Sequence, residues 1–162
     1  MDRIYRMVSS FTDEQSLIGL EKLSSFELSQ VTDIMDDYII IDLKYNGEVC
    51  HGREGDLNYS VLFVPQSKIN IIKSIETKVH EGLDGYTVID DITEDILYEK
   101  FDTSVFGFFE FEMNFEFFKY RKDYLTKDII LDKILKYGKD SLTENEKLFL
   151  GDKQMISPID EI

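Results

Sequence analysis

The sequence has few of the residues that build disulfides or metal sites. Its 162 residues include one cysteine, two histidines and no tryptophan. A lone Cys50 cannot form an internal disulfide, which fits a protein from a reducing compartment. Zinc sites need three or four ligands, so Cys50, His51 and His80 supply too few of them. We therefore expect no metal and no cofactor.

Long apolar runs are missing as well. No stretch approaches the ~18 apolar residues of a membrane span, and the N-terminus has no apolar run of signal-peptide length. We expect a cytoplasmic protein that does not bind membranes. Proline occurs only at Pro65 and Pro158, and no repeat or low-complexity tract divides the chain. The sequence therefore predicts one domain over residues 1–150 and a short tail over residues 151–162.

The composition favours a folded, strongly acidic domain. A hydrophobic content of 43% with 13% aromatic residues is enough to build a core. The 33 acidic residues outnumber the 18 basic ones, which gives a net charge of −15. Such a chain repels nucleic acid and attracts cationic surfaces, so direct nucleic-acid binding is not expected.

Two helices are predicted near the N-terminus. Thr12 followed by Gln15 is the pattern of a capping box, and a second helical segment follows Ser24-Ser25 and runs to about Met35. The positions expected to be buried are Leu17, Leu20, Leu23, Phe26, Val31 and Met35.

The middle of the chain predicts strands and helices in turn. A β-branched run predicts a strand over residues 38–45, and Asn46-Gly47 then favours a hairpin turn into a strand over residues 59–64. Ser67 is expected to cap a helix that ends at Gly82. A short strand over residues 86–89 and a helix from a Thr93 cap to about Phe101 follow.

The phenylalanine-rich segment over residues 104–120 alternates between apolar and polar side chains. This period of two predicts a strand with one face on the core and one in water. The inward side chains would be Phe109, Phe111, Met113, Phe115 and Phe117, and the acids Glu110, Glu112 and Glu116 would share the other face.

Two helices joined at Gly138 are predicted at the C-terminal end, the second capped by Ser141 or Thr143. The residues that carry a resemblance here are Leu131-Asp132-Lys133-Ile134, Gly138, Asp140-Ser141-Leu142-Thr143, Glu146 and Phe149-Leu150. This stretch of about 20 residues resembles a helical hairpin of C-terminal tails in Bacteroidota proteins, including some of the rhomboid family. The resemblance implies at most a source phylum, because the sequence lacks rhomboid transmembrane helices and serine–histidine chemistry.

Together these patterns predict an α+β fold. We expect a single domain with an antiparallel sheet of about four or five strands, helices packed on one face of it, and a C-terminal helical hairpin.

The most acidic stretch is residues 81–102, where eight carboxylates stand against Lys100 and give a net charge of −7. Like-charge runs often serve interaction. The residues predicted to bind a partner come from this stretch and from the acidic face of the phenylalanine-rich strand: Asp84, Tyr86, Asp90, Asp91, Glu94, Asp95, Tyr98, Glu99, Glu110, Glu112 and Glu116.

A structural explanation of these acids competes with the interaction hypothesis. Glu94 and Asp95 would stabilise the first turn of a helix, and Asp90-Asp91 would occupy the turn before it. The glutamates of the phenylalanine-rich strand would then form a solvated sheet face.

No catalytic motif accompanies the acidic stretch. A glycine-rich phosphate loop, a nucleophile elbow and a metalloprotease helix are all missing from the sequence. Neighbouring Cys50 and His51 would point to opposite faces of a strand, which disfavours a nucleophilic pair. We therefore expect a protein that is not an enzyme.

The favoured functional hypothesis is a small inhibitor or immunity protein, as in toxin–antitoxin pairs. It would occlude a basic site on a toxin effector or on a nucleic-acid-handling enzyme. Two alternatives stay open. One is a phage-type nucleic-acid mimic, since the net charges of residues 1–50, 51–100 and 101–162 are a similar −6, −5 and −4. The other is an enzyme with a carboxylate acid/base pair.

Overall fold

A computed structural model describes residues 2–45, 57–80, 86–101 and 110–151 of the chain. Its contacts divide the chain into two compact units, residues 2–91 and residues 92–162. One domain over residues 1–150 stays a prediction. The predicted tail beyond Gly151 and the predicted Asn46-Gly47 turn lie outside the described residues, as do Cys50 and His51.

The described part of the first unit contains an antiparallel sheet of four strands. These are β1 (Ile4–Phe11), β2 (Ile39–Tyr45), β3 (Leu57–Pro65) and β4 (Tyr86–Asp91), in the spatial order β2-β3-β1-β4. The α+β class and the antiparallel pairing are confirmed. No sequence pattern predicted β1, although this strand is central and joins β3 to β4.

The described part of the first unit also contains three helices: α1 (Asp13–Glu21), α2 (Ser25–Tyr38) and α3 (Gln66–His80). Alternation along β1 places Met7 on the sheet face that carries Leu62 of β3. The buried core on this face consists of Met7, Ile34, Leu62, Val64, Ile69 and Ile72.

Local signals explain where these helices begin. The Thr12 hydroxyl accepts from the Gln15 amide, and the Gln15 side chain accepts from the Thr12 amide, so the predicted capping box is confirmed. A second capping box joins Ser24 and Glu27 at the start of α2. The prediction of a Ser67 cap was wrong, because α3 begins at Gln66 directly after β3.

The predicted burial of some apolar positions was also wrong. The side chain of Phe26 is 72% exposed and that of Leu17 is 63% exposed. The helical spacing of apolar residues predicted which of them share a face of each helix. Which of these residues are buried depends on the neighbouring elements that pack against that face.

The described part of the second unit is helical. It contains α4 (Thr93–Tyr98), α5 (Glu110–Tyr124), α6 (Lys127–Tyr137) and α7 (Glu144–Leu150). Gly138 ends α6 with a positive φ of 88°, which glycine adopts without strain. A short 3₁₀ turn over Lys139–Ser141 follows, and Thr143 caps α7.

The Thr93 cap prediction was wrong. Thr93 is the first residue of α4 and is buried, while Ile92 occupies the cap position without a side-chain hydrogen bond.

The strand prediction for residues 104–120 was wrong as well, because the described part of this segment lies in helix α5. Met113 and Phe117 are buried, whereas Phe111 is 59% exposed and Phe115 is 46% exposed. The inward set therefore follows helical spacing. Phe109 lies outside the described residues.

Candidate functional site

An apolar cavity lies inside the first unit, between the sheet and helices α1, α2 and α3. Its volume is about 340 Å³, within the range of small-molecule sites. Its apolar walls include Met7, Leu20, Leu28, Val31, Ile75 and Val79. Alternate side chains of β1 point to this side of the sheet, and the helices turn their inward stripes towards it. These side chains together form the walls of the cavity.

A row of hydroxyl groups crosses the sheet side of the cavity. Ser9 of β1 lies opposite Ser60 of β3 and opposite Thr87 of β4 in the strand register. Directly opposed residues of antiparallel strands share a face, so all three side chains line the cavity. The Ser9 and Thr87 hydroxyl oxygens are 3.4 Å apart. Glu76 of α3 is the one ionisable side chain among the described lining residues.

The cavity opens beside the connection between α1 and α2. Leu20 and Leu28 line it, yet each is 39% exposed. Leu17 lies one turn before Leu20 on α1, whereas Phe26 lies on the side of α2 away from Leu28. Single exposed apolar residues are ordinary, but exposed apolar residues that line a cavity, as Leu20 and Leu28 do, are typical of a binding surface.

The outer side of α2 carries exposed carboxylates. Asp33, Asp36 and Asp37 are all exposed, and none forms an ion pair with another residue of the described segments. Phe26, Asp33 and Asp37 lie at positions i, i+7 and i+11, so they share one stripe of the helix. We call Asp33, Asp36 and Asp37 the α2 acidic face.

Glu27 behaves differently from these acids. Lys78 donates to its carboxylate at 2.7 Å, and the Ser24 amide donates at 3.1 Å. These bonds lower the pKa of Glu27 to about 2. Glu27 therefore contributes to the structure of the first unit, and its charge is already neutralised by Lys78.

The predicted partner residues on β4 are also paired. Asp90 accepts from the Arg6 guanidinium at 2.7 Å, and Asp91 accepts from Arg3 at 2.5 Å. The hydrogen bond and the charge of Asp91 raise the pKa of Arg3. Asp90 lies opposite Arg6 of β1, which is a typical cross-strand ion pair, and Asp91 lies opposite Tyr5, two residues from Arg3 just before β1.

Other predicted partner residues lie in or after α4. Glu94 is exposed in its first turn and accepts from the Tyr137 hydroxyl at 3.0 Å, and Asp95 is half-buried beside it. Tyr98 lies edge-on to Tyr137, with the ring centroids 5.7 Å apart, and burial raises the pKa of Tyr98. Glu99 follows the helix with a φ of 56° and binds Arg121 at 2.6 Å.

The remaining predicted residues are not brought together on one strand face. Glu110, Glu112 and Glu116 lie on helix α5, where Glu112 and Glu116 share a side at i, i+4 and Glu110 projects about 120–160° away around the axis. Asp84 lies outside the described residues, and the side chain of Tyr86 is not described.

A buried ion cluster in the second unit was missed by the sequence analysis. Glu146 is fully buried and binds Arg121 at 2.5 Å and Lys133 at 2.7 Å. The Arg121 side chain also donates to the Ile96 carbonyl at 2.5 Å, and Lys133 donates to the Leu97 carbonyl at the end of α4. Burial lowers the pKa of Arg121, which still carries its charge.

These contacts make the ion cluster a structural feature. The two cations bind the last carbonyls of α4, which have no partner within that helix. The negative end of the α4 dipole also stabilises their positive charges. A signal was present in the sequence, because Lys133 lies between Ile130 and Ile134 on the apolar stripe of α6.

None of the helices in the described segments has the length and apolar character needed to cross a bilayer. Comparison of the sequence with models of known protein families and with curated proteins finds no match.

Proposed function

We propose that the protein is a small acidic binding protein of the inhibitor or immunity type, acting in the cytoplasm. It occludes a basic site on a toxin or on a nucleic-acid-handling enzyme. The observation that supports this proposal is the α2 acidic face, whose three exposed carboxylates have no ion-pair partner in the described segments. Asp33 and Asp37 lie on the same stripe of the helix as the exposed ring of Phe26, about two and three turns further along.

Pairing decides which acids contribute most to attraction at a distance. A carboxylate within 3 Å of an arginine has a charge of opposite sign beside it, so the electric fields of the two charges largely cancel at a distance. Salt screens what remains of the field over the Debye length of about 8–10 Å. Asp90, Asp91 and Glu99 have such arginine partners. The α2 acidic face keeps its full field and therefore carries the proposal better than residues 81–102.

Phe26 would supply the anchor of this interface. Aromatic side chains with a charged rim are typical of the centre of protein–protein interfaces, where a few residues contribute most of the binding energy. The α2 acidic face would steer a cationic partner and raise the association rate, whereas the Phe26 ring would mainly slow dissociation.

The test compares two variants with the same change in charge. One carries Asp33→Lys, Asp36→Lys and Asp37→Lys, and the control carries the same substitutions at Asp123, Asp132 and Asp140, which are exposed in the second unit. The partner is captured with the wild-type protein from lysate of the source cells and then purified. Association rates are measured from about 0.05 to about 0.5 M salt.

We expect the α2 variant to slow association at low salt by about tenfold or more, and the control variant to slow it far less. Phe26→Ala should increase the dissociation rate of the same complex, with a loss near ~2 kcal/mol if the ring is a hot spot. Circular dichroism and melting curves establish that each variant is folded. Equal rates for the two triple variants, or a wild-type rate insensitive to salt, would refute the proposed interface.

A further inference from the structure

We infer that the cavity of the first unit is a binding site for a small uncharged molecule, largely hydrocarbon, with one hydrogen-bonding end such as a primary alcohol. This inference is independent of the proposed function, because it concerns the interior of the first unit and not the outer face of α2.

The volume of the cavity distinguishes it from ordinary packing. The cavity is open to solvent beside Leu20 and Leu28, and one water occupies about 30 Å³ of liquid. A volume of about 340 Å³ exceeds that share many times over. Water filling such a space would face mainly apolar walls of leucine, isoleucine, valine and methionine, which offer it no hydrogen bonds.

The hydroxyl row determines the polar end of the ligand. Ser9, Ser60 and Thr87 lie side by side on the strands, while the opposite walls come from the helices and are mainly apolar, with Ser16, Thr32 and Glu76 as their polar members. Hydroxyls both donate and accept, so they match an alcohol, which also does both. The hydrocarbon part of the ligand would lie against the walls from α2 and α3.

The electrostatics of the cavity disfavour charged ligands. No lysine, arginine or histidine is among the described lining residues, so these walls offer a carboxylate no cation. Glu76 lines the cavity, and the chain carries a net charge of −15, which further opposes an anion. An ammonium group would be attracted by Glu76, but it would lose its hydration on entering a mainly apolar space, and Glu76 already interacts with another group of the protein.

An entry path is visible in the structure. Leu20 and Leu28 line the cavity and remain 39% exposed, so a ligand would enter beside the connection between α1 and α2. A bulky side chain at Leu28 should therefore obstruct the site without disturbing the sheet. Leu135 provides a matched control, because it is a leucine 84% exposed on α6.

The first experiment titrates the full chain with 1-decanol, decanoate and decylammonium, followed by calorimetry and by two-dimensional NMR. We expect saturable binding of one 1-decanol, with backbone shifts confined to residues around the cavity. Binding of either charged probe should be at least tenfold weaker. Comparable binding of decanoate or decylammonium, or no saturable binding of 1-decanol, would overturn the inference.

The second experiment places the ligand in the cavity. Leu28→Trp should weaken 1-decanol binding at least tenfold, whereas Leu135→Trp should leave it unchanged. Val79→Phe fills the opposite wall and serves the same purpose if Leu28→Trp does not fold. Unchanged binding in the folded obstructed variant would show that the alcohol binds elsewhere and would refute the site.

The third experiment tests the hydroxyl row. Thr87→Val keeps the shape of the side chain and removes its hydroxyl, so 1-decanol should bind at least threefold more weakly while decane, which has no hydroxyl, binds as before. Equal losses for 1-decanol and decane would contradict the assigned orientation of the polar end.

Discussion

Glu146 binds two cations at once in the interior of the second unit. Its carboxylate contacts Arg121 and Lys133, and all three side chains are almost fully buried. Moving three charges out of water is costly, and their attraction compensates for this only when every group is paired. The cluster is therefore sensitive to the loss of any single member, because the charges left behind would be buried without a counterion.

Replacing Glu146 by alanine should lower the free energy of unfolding by ~3–5 kcal/mol, as expected when one partner of a buried ion pair is removed. Glu144→Ala is the matched control, since the Glu144 side chain is 87% exposed on the same helix. Urea denaturation measures both values. A loss below ~1 kcal/mol for Glu146→Ala would show that the cluster contributes little to stability.

Glu27 makes the stability of the first unit depend on pH. Its pKa falls from 4.5 to about 2 on folding, because the native state stabilises the charged carboxylate through Lys78 and Ser24. A carboxylate with a lowered native pKa contributes stability that is fully present above about pH 4.5 and is lost as the pH falls towards about 2.

We expect Glu27→Gln to reduce the melting temperature at pH 6 but to have little effect at pH 2, so the two melting curves converge in acid. Glutamine can still accept at the third helical position, so the substitution removes the charge and retains the capping pattern. Glu14→Gln on α1 provides a control for a general charge effect. A constant difference between wild type and Glu27→Gln over this pH range would contradict the assignment.

Among the elements, α5 shows how a local pattern can predict the wrong structure. Residues 110–117 alternate acidic or polar with apolar side chains, which fits a strand. The same residues also place Met113, Phe117 and Arg121 at i, i+4 and i+8, and these three are buried. Acids in the first turn and Arg121-Lys122 in the last turn are the dipole signals that would have favoured a helix.

The helical assignment of α5 separates two phenylalanines that the strand prediction placed together on the inward face. Phe117→Ala should destabilise the protein by ~3–5 kcal/mol, since its ring is 3% exposed and stacks on Phe101 at 4.4 Å. Phe111→Ala should cost less than ~1 kcal/mol because this ring is 59% exposed. Chemical denaturation of both variants provides the measurement, and similar losses would contradict the helix.

Across the whole chain, the elements that could be predicted from the sequence are those with a signal in neighbouring residues. The capping box at Thr12, the β-branched run before Tyr45 and the cap at Thr143 depend on neighbouring residues, and each prediction was confirmed. The strand β1 was missed because its alternation includes Arg6, Ser9 and Ser10, and their burial depends on partners far along the chain.

The candidate site was less predictable than the elements. Residues 81–102 were selected for their charge, but Arg3, Arg6 and Arg121 neutralise part of that charge through contacts 22 or more positions apart in sequence. Neither the cavity nor the hydroxyl row has a local signature, because Ser9, Ser60 and Thr87 meet only through the strand register. The partner-binding residues therefore stay a prediction, and the α2 acidic face is added to them as a proposal.

The position of β1 in the sheet has a consequence for synthesis on the ribosome. This strand emerges before the other described strands of the sheet, yet its two hydrogen-bonding edges belong to β3 and β4, so Tyr5 finds its partner Asp91 only when β4 has been made. The nascent strand carries Ile4, Met7 and Val8, which become buried later. Until then its backbone is open to wrong pairings, and long-range pairing of this kind makes folding slow. The described sheet of the first unit can therefore be completed only after β4 has been made.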